Sequence, residues 1–149
     1  MKLNLFFYLC FLYGCDNCQP SSKLINNLDK IEIINRALQQ DNKQLQWINS
    51  TKDLAIKFPH LKTHLLQLEL SLNFIEIERQ YLNKDSTRLG LAYMFTKDVN
   101  GCTQFLLFTT NPSDRERFIN LEQFVDYIKE TKYINPYWTY RKVDVKAYE

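Results

Sequence analysis

The sequence has few of the residues that mark phosphate loops, flexible linkers and metal sites. Its 149 residues include three glycines, four prolines and two histidines. So little glycine argues against a glycine-rich phosphate loop, and so little glycine and proline together argues against a long flexible linker. The chain contains no internal repeat. Its length is enough for one domain with a real core and too short for two of ordinary size.

Neither sign of charge dominates the sequence. There are 19 lysines and arginines against 17 aspartates and glutamates, and the basic residues are scattered along the chain. Proteins that bind nucleic acids use a dense positive field, which this sequence lacks. The composition therefore predicts no nucleic-acid partner, and no motif for a cofactor is present.

No apolar run is long enough to cross a membrane as a helix. The longest begins after Lys2 and extends from Leu3 to Gly14, interrupted only by Asn4, whereas a spanning helix needs about 20 apolar residues. A short apolar run behind a positive residue at the N-terminus is typical of a signal peptide. We therefore expect residues 1–14 to be a signal peptide; the alternative is that Leu3–Leu12 is a buried element of the fold.

The end of this run resembles the lipobox of bacterial lipoproteins, with Leu12, Gly14 and Cys15 in the matching positions. The resemblance implies that cleavage follows Gly14 and that Cys15 becomes the first residue of the mature chain. In that class the thiol carries a diacylglycerol and the new amino group carries a further acyl chain, such as palmitate. It also implies a cell-envelope location, anchored in a membrane and facing the periplasm. Residues 15–22 would be a polar tether, and residues 23–149 one α+β domain.

The strongest pattern in the remaining sequence is a β-hairpin over Arg88–Thr110. Asn100-Gly101 is a favoured dipeptide for a tight hairpin turn, and apolar runs flank it. A four-residue loop in place of a two-residue loop would shift the strand pairing by two residues and leave both faces of the hairpin unchanged. With either loop, one face would carry eight of the residues. That face holds Leu89, Leu91, Tyr93, Phe95, Val99, Cys102, Leu106 and Phe108. The other holds Ala92, Met94, Phe105 and Leu107, so we expect both to be at least partly covered.

The other segments predict helices before the hairpin and a helix and a strand after it. Apolar spacing predicts a helix over Lys23–Gln39, with Ile34 or Asn35 on its buried stripe, then a polar connector over Asp41–Ser50 and a helix over Thr51–Lys57. Between Leu61 and Ile75 the apolar residues fit both a helical stripe and the alternation of a strand. We favour a helical turn over Pro59–Leu65 and a strand over Leu66–Tyr81 with a β-bulge at Phe74-Ile75. A loop or short helix is expected from Pro112. The rest is predicted as a helix over Leu121–Lys132 and an edge strand over Tyr137–Ala147.

These elements predict an α+β fold with an antiparallel sheet. The sheet would consist of a three-stranded meander and a C-terminal strand, covered by the N-terminal helices and the one late helix.

Two groups of residues are candidates for chemistry. His60 and His64 are four residues apart, so a helix would place both on one face and allow them to bind zinc, but the glutamate of the metalloprotease pattern is missing. Surface histidines are the simpler interpretation, and we predict no metal site. If Cys10 is removed and Cys15 is lipidated, Cys18 and Cys102 remain and would be free to form a disulfide in an oxidising compartment. The alternative is that Cys102 is buried as a small apolar side chain.

Aromatic residues near the C-terminus form the best candidate for a recognition surface. Tyrosine and tryptophan are enriched in binding hot spots because they bury a large area at small entropic cost. The alternative is that these side chains pack the last helix against the last strand. The candidates are Tyr127, Tyr133, Tyr137, Trp138 and Tyr140.

Together these observations predict a lipid-anchored envelope protein that binds another macromolecule without catalysis, such as an immunity or inhibitor protein. One alternative is a small envelope hydrolase or metal-binding protein that uses His60 and His64. Another is a subunit of a membrane complex that retains its N-terminus.

Overall fold

A computed structural model describes residues 20–40, 47–48, 50–85, 87–97, 102–120 and 128–144. The helices are α1 (Ser21–Ile25), α2 (Leu28–Gln40), α3 (Thr51–Lys57), α4 (Lys62–Leu72) and α5 (Arg115–Ile119), with 3-10 turns over Pro59–Leu61 and Pro112–Asp114. The strands are β1 (Trp47–Ile48), β2 (Phe74–Tyr81), β3 (Leu89–Lys97), β4 (Cys102–Thr109), β5 (Ile128–Tyr133) and β6 (Trp138–Asp144). Within these ranges, no helix is both long and apolar enough to cross a membrane.

The described strands form one antiparallel sheet in the order β1-β2-β3-β4-β6-β5. The fold is therefore α+β with an antiparallel sheet, as predicted. The expected meander of three strands is present as β2, β3 and β4. The sheet is larger than predicted, however, because β1 and β5 add a strand at each end.

The central hairpin has the two faces expected from the sequence. Leu91 pairs with Phe108, and Tyr93 pairs with Leu106. This register differs by two residues from the one that a two-residue loop at Asn100-Gly101 would produce. Since an even shift leaves every side chain on its original face, both face assignments are confirmed wherever side chains are described. The predicted turn residues, Asn100 and Gly101, and the side chains of Val99 and Cys102 lie outside the described part.

The first face of the sheet packs under the described helices α1–α4. The helices contribute a buried stripe, and the hairpin face lies below it with two aromatic residues of β6. These side chains form one core cluster: Leu24, Ile31, Ile34, Leu38, Leu54, Leu61, Leu65, Leu68, Leu72, Phe74, Ile77, Leu89, Leu91, Tyr93, Phe95, Leu106, Phe108, Trp138 and Tyr140. The buried stripe predicted for Lys23–Gln39 is present, although the helix breaks at Asn26-Asn27 into α1 and α2.

The second face is covered by the short helix α5, consistent with the loop or short helix predicted from Pro112. Phe118 and Ile119 pack with Ala92, Phe105 and Leu107 in a separate apolar cluster. The Phe118 ring lies directly over Gly90: a Cβ added at that glycine would lie 2.6 Å from the ring. The absence of a side chain at position 90 is therefore what allows α5 to approach the sheet closely.

The predicted strand over Leu66–Tyr81 is wrong in its first half. Residues Lys62–Leu72 are helical, and the strand begins only at Phe74. Both patterns were present in the sequence; the helical stripe of Leu65, Leu68 and Leu72 is the one that the core buries, whereas Leu70 is 84% exposed. Asn73 then ends the helix in a left-handed conformation with φ of 52°, which asparagine tolerates better than most residues. The predicted bulge is confirmed, because the β2–β3 register shifts between Phe74 and Glu76.

The predictions for the C-terminal part also need correction. Residues 128–132 belonged to a predicted helix but lie in strand β5, because pairing with β6 overrides their helical pattern. The predicted edge strand, β6, lies between β4 and β5, so β5 forms the edge instead. Likewise, Trp47 and Ile48 in the predicted connector pair with β2. Residues 121–127 and 145–147, also parts of these predictions, lie outside the described ranges.

Candidate binding cleft between α2 and the start of β6

An open cleft of about 200 Å³ lies where α2 crosses the sheet beside the β5–β6 connection. Its walls come from three separate parts of the chain: successive turns of α2, the end of β4, and the segment that leads into β6. The lining residues are Glu32, Asn35, Arg36, Gln39, Phe108, Asn135, Tyr137 and Trp138. A cleft of this size accommodates one or two side chains of a partner rather than a large cofactor.

The aromatic wall of the cleft is held by the register of the last strand. Phe108 pairs with Trp138 across β4 and β6, and their ring centroids are 5.0 Å apart. The Tyr137 ring stacks on Phe108 with a centroid distance of 6.4 Å and an angle of 26° between the planes. Phe108 and Trp138 are buried, whereas Tyr137 is 44% exposed. Tyr137 therefore presents an aromatic ring to solvent from a rigid, apolar base.

The backbone around Tyr137 is also fixed. The Asn135 side-chain oxygen accepts hydrogen bonds from the N–H groups of Tyr137, at 2.9 Å, and Trp138, at 3.0 Å. The Tyr137 carbonyl accepts a bond from the Thr109 N–H at 3.0 Å. Asparagine favours this geometry because its short side chain can bond backbone groups two residues further along the chain. A ring held in place in this way loses little conformational entropy when it binds.

The opposite wall of the cleft is polar and belongs to α2. Glu32 and Arg36, one helical turn apart, form an ion pair at 3.8 Å with side chains 38% and 76% exposed. An exposed pair of this kind contributes little to stability, so both side chains are available to rearrange around a partner. The cleft thus combines an apolar wall with a rim that offers both charges.

A buried hydrogen bond underlies the cleft. Asn35, on the inner side of α2, accepts a bond from the Tyr93 hydroxyl at 2.7 Å, and the Tyr93 ring packs on Trp138 with centroids 5.5 Å apart. Burial raises the pKa of the Tyr93 hydroxyl well above its ordinary value, because the phenolate would lose its hydration. Tyr93 is thus a neutral donor that connects α2 to the centre of the sheet.

The predicted aromatic cluster is divided by the structure. Tyr137 and Trp138 both line the cleft. Tyr140 is fully buried and accepts a hydrogen bond at its hydroxyl from the Gln104 side-chain amide at 2.9 Å. Tyr133 is 55% exposed, with the Arg115 guanidinium 4.5 Å from its ring centroid. Trp138 and Tyr140 therefore pack in the core beneath α1–α4, not between a last helix and the last strand, and Tyr133 and Tyr137 are the members that reach solvent. Tyr127 lies outside the described residues.

The polar wall of the cleft was not recognised in the sequence as part of a site. In the sequence, Glu32 and Arg36 lie on the polar side of an amphipathic helix, which normally faces solvent. One signal was available: Asn35 lies on the otherwise apolar stripe of α2, and a polar residue at a buried position needs a partner. That signal indicates a buried contact without revealing that Tyr137 faces the same helix.

The two histidines lie away from the cleft. His60 belongs to the 3-10 turn before α4, where its ring meets that of Phe58 edge-on with centroids 6.1 Å apart, and His64 belongs to α4 itself. Among the described residues, no three side chains from histidine, cysteine, aspartate and glutamate are grouped so as to hold a metal ion.

The cysteine predictions fall largely on residues outside the described part. Cys15, the predicted lipidation site, and Cys18 both precede residue 20, where the described part begins. Cys102 is the first residue of β4. The predicted Cys18–Cys102 disulfide therefore stays a prediction.

The comparisons with other proteins leave the site to be interpreted from its own geometry. No protein-family model matches the sequence, and searches of curated proteins and of solved structures found no similar chain.

Proposed function

We propose that this chain is a lipid-anchored protein of the cell envelope that binds another protein, without catalysis, through the cleft between α2 and β6. The observation that carries the binding role is the exposed Tyr137 ring, stacked on buried Phe108 and facing the charged rim of α2. Central aromatic side chains on a rigid base, surrounded by polar groups, are the usual composition of a binding hot spot.

The lining of the cleft suits recognition better than chemistry. The described residues that line it include no histidine, serine, lysine or cysteine, and so offer none of the usual pairs of nucleophile and base. Its carboxylate, Glu32, is partly exposed and pairs with Arg36. The fitting occupant is a partner segment that inserts an apolar side chain beside Tyr137 and places polar groups near Glu32 and Arg36.

The anchor is the second half of the proposal, and its support is the lipobox-like end of the N-terminal apolar run at Cys15. Only five residues, 16–20, would separate the lipidated cysteine from the start of α1. At about 3.5 Å per residue this tether would keep the domain within about 20 Å of the membrane. The specific role we favour is that of an immunity or inhibitor protein that protects the envelope. Such a protein needs a binding surface and localisation to the envelope, but no active site.

The binding half is tested with a photo-reactive phenylalanine analogue at position 137 in cells of the natural host. The same analogue at Leu70, which is 84% exposed on α4, is the matched control for surface crosslinking. We expect a crosslinked protein from position 137 that is absent from position 70. That protein, once purified, should bind the wild-type chain about ten-fold or more tightly than a Tyr137→Ala variant. Equal binding by the two chains would overturn the role of the cleft.

Lipid anchoring in the envelope is tested by intact-mass measurement of the chain recovered from host membranes, compared with a Cys15→Ser variant. Loss of residues 1–14 with a gain of lipid mass, both abolished by the substitution, is the expected result. A chain that still begins at Met1 would overturn the anchor and leave the binding cleft to be judged separately.

A further inference from the structure

We propose that the edge strand β5 pairs with β5 of a second copy of this chain, so that two sheets join into one antiparallel sheet across a two-fold axis through Thr131. Among the described strands, β5 ends the sheet and pairs only with β6. An edge of this kind offers a row of backbone donors and acceptors that another strand can bind.

The β5–β6 pairing determines which backbone groups of β5 reach the open edge. The Ile134 N–H donates to the Trp138 carbonyl, and Lys132 pairs with Tyr140 and Glu130 with Lys142 in the same register. In an antiparallel pair, every second residue exchanges hydrogen bonds with its partner strand. Glu130 and Lys132 therefore use their backbone groups toward β6, and Thr131 and Tyr133 direct theirs to the open edge.

Only a few symmetric registers satisfy that alternation. A two-fold axis at Thr131 joins Thr131 to its copy through two backbone hydrogen bonds and places Glu130 opposite Lys132 of the other copy, twice. Moving the axis to Lys132 would place two Lys132 ammonium groups opposite each other. Moving it to Glu130 would place two Glu130 carboxylates opposite each other. Opposite charges directly across a pair of strands stabilise it, whereas like charges destabilise it.

The side chains in this register are accessible and already oriented. Glu130 and Lys132 lie on the same face of β5 and form an ion pair of 2.8 Å within one chain, with side chains 34% and 47% exposed. In the dimer each charge gains a second neighbour of opposite sign, so four charges form a closed network. A lysine on an edge strand ordinarily discourages pairing; here Glu130 removes that barrier for a second copy in this one register.

The expected dimer is weak and reversible. Five paired residues of β5 on each side bury less surface than a permanent dimer requires. If the chain is anchored in a membrane, its confinement to two dimensions would raise the effective concentration and favour the dimer. The pairing itself does not depend on the anchor or on the cleft.

The test uses charge exchange at the two positions, measured by analytical ultracentrifugation of the full-length chain in density-matched detergent over a wide range of concentration. The single variants Glu130→Lys and Lys132→Glu each place like charges opposite each other twice, so each should dimerise about ten-fold more weakly than wild type. An equimolar mixture of the two variants should recover wild-type association, because every cross-strand pair in the mixed dimer is again of opposite sign. Lys62→Glu, on the distant helix α4, is the control for the change of net charge. Circular dichroism of each variant reports whether the fold is retained.

Three outcomes would overturn the proposal. One is a wild-type chain that stays monomeric at the highest concentration. Another is a dimer that both single variants form as well as wild type, which would locate the contact elsewhere, including in the N-terminal apolar run. The third is a mixture that associates no better than the separate variants, which would exclude the register centred on Thr131. The binding experiment at position 137 is independent of all three.

Discussion

The hydroxyl of Tyr93 donates a hydrogen bond to the side-chain oxygen of Asn35 across 2.7 Å of the buried interface between the sheet and α2. Tyr93 is fully buried, and Asn35 is 3% exposed. The bond joins the middle of β3 to the helix that forms the polar wall of the cleft. The position of that wall relative to Tyr137 therefore depends on an interaction in the core.

Removing the donor should destabilise the protein. A Tyr93→Phe substitution leaves the Asn35 oxygen buried without this donor, which should lower the free energy of unfolding by about 1–3 kcal/mol. Urea denaturation measures the loss. Tyr133→Phe is the control, since that side chain is mostly exposed, and it should change stability by less than about 0.5 kcal/mol. A Tyr93→Phe chain as stable as wild type would show that water replaces the bond.

The same residue predicts a loss of stability in alkaline solution. The pKa of Tyr93 is higher in the folded state than its unfolded value of about 10, so folding favours the protonated form. Its contribution is fully present below pH of about 10 and is lost as the pH rises from there toward the higher folded pKa. Unfolding curves of wild type and Tyr93→Phe should therefore converge above pH of about 10. Curves that stay parallel through this range would contradict the prediction.

Gly90 should tolerate no side chain while Phe118 occupies its position over the sheet. A Gly90→Ala Cβ would lie 2.6–2.8 Å from three atoms of that ring, so the ring and α5 must move, at a cost of about 1–3 kcal/mol. A Phe118→Leu substitution in the Gly90→Ala background should cost less than it does in the wild-type chain. Thermal unfolding of the four chains measures this coupling, and strictly additive costs would contradict the contact.

Ser50 should stabilise the start of α3 as an N-cap. Its hydroxyl oxygen accepts a hydrogen bond from the Asp53 N–H at 3.2 Å, so Ser50→Ala should cost about 1 kcal/mol. Ser50→Thr should retain most of the stability, because its hydroxyl can accept from the Asp53 N–H and also donate to the Asp53 carboxylate, as the Ser50 hydroxyl does at 2.9 Å. Chemical denaturation measures the free energy of unfolding of both variants. If both substitutions lowered it equally, the effect would come from any change at position 50 and not from the loss of the cap.

Local sequence patterns determined the parts of this fold that depend on one segment at a time. The alternation from Leu89 to Phe95 and from Phe105 to Phe108 specified both faces of the hairpin, because neighbouring residues of any strand point to opposite sides. The stripe through Ile31, Ile34 and Leu38 specified the buried side of α2 for a comparable reason, the helical repeat. The short apolar run before Cys15 is also a local pattern, and the predicted envelope location depends on that segment alone.

Tertiary structure decided what depends on contacts between distant segments. Leu66–Leu72 carried both a helical and an alternating pattern, and only packing of Leu68 and Leu72 against the sheet selected the helix. Ile128–Tyr133 became a strand because β6 lies beside it. The cleft exists because Tyr137 and Arg36, about 100 residues apart in the chain, come to line the same space when α2 packs over β4 and β6. No local pattern contains this arrangement, because it arises from the packing of the whole core.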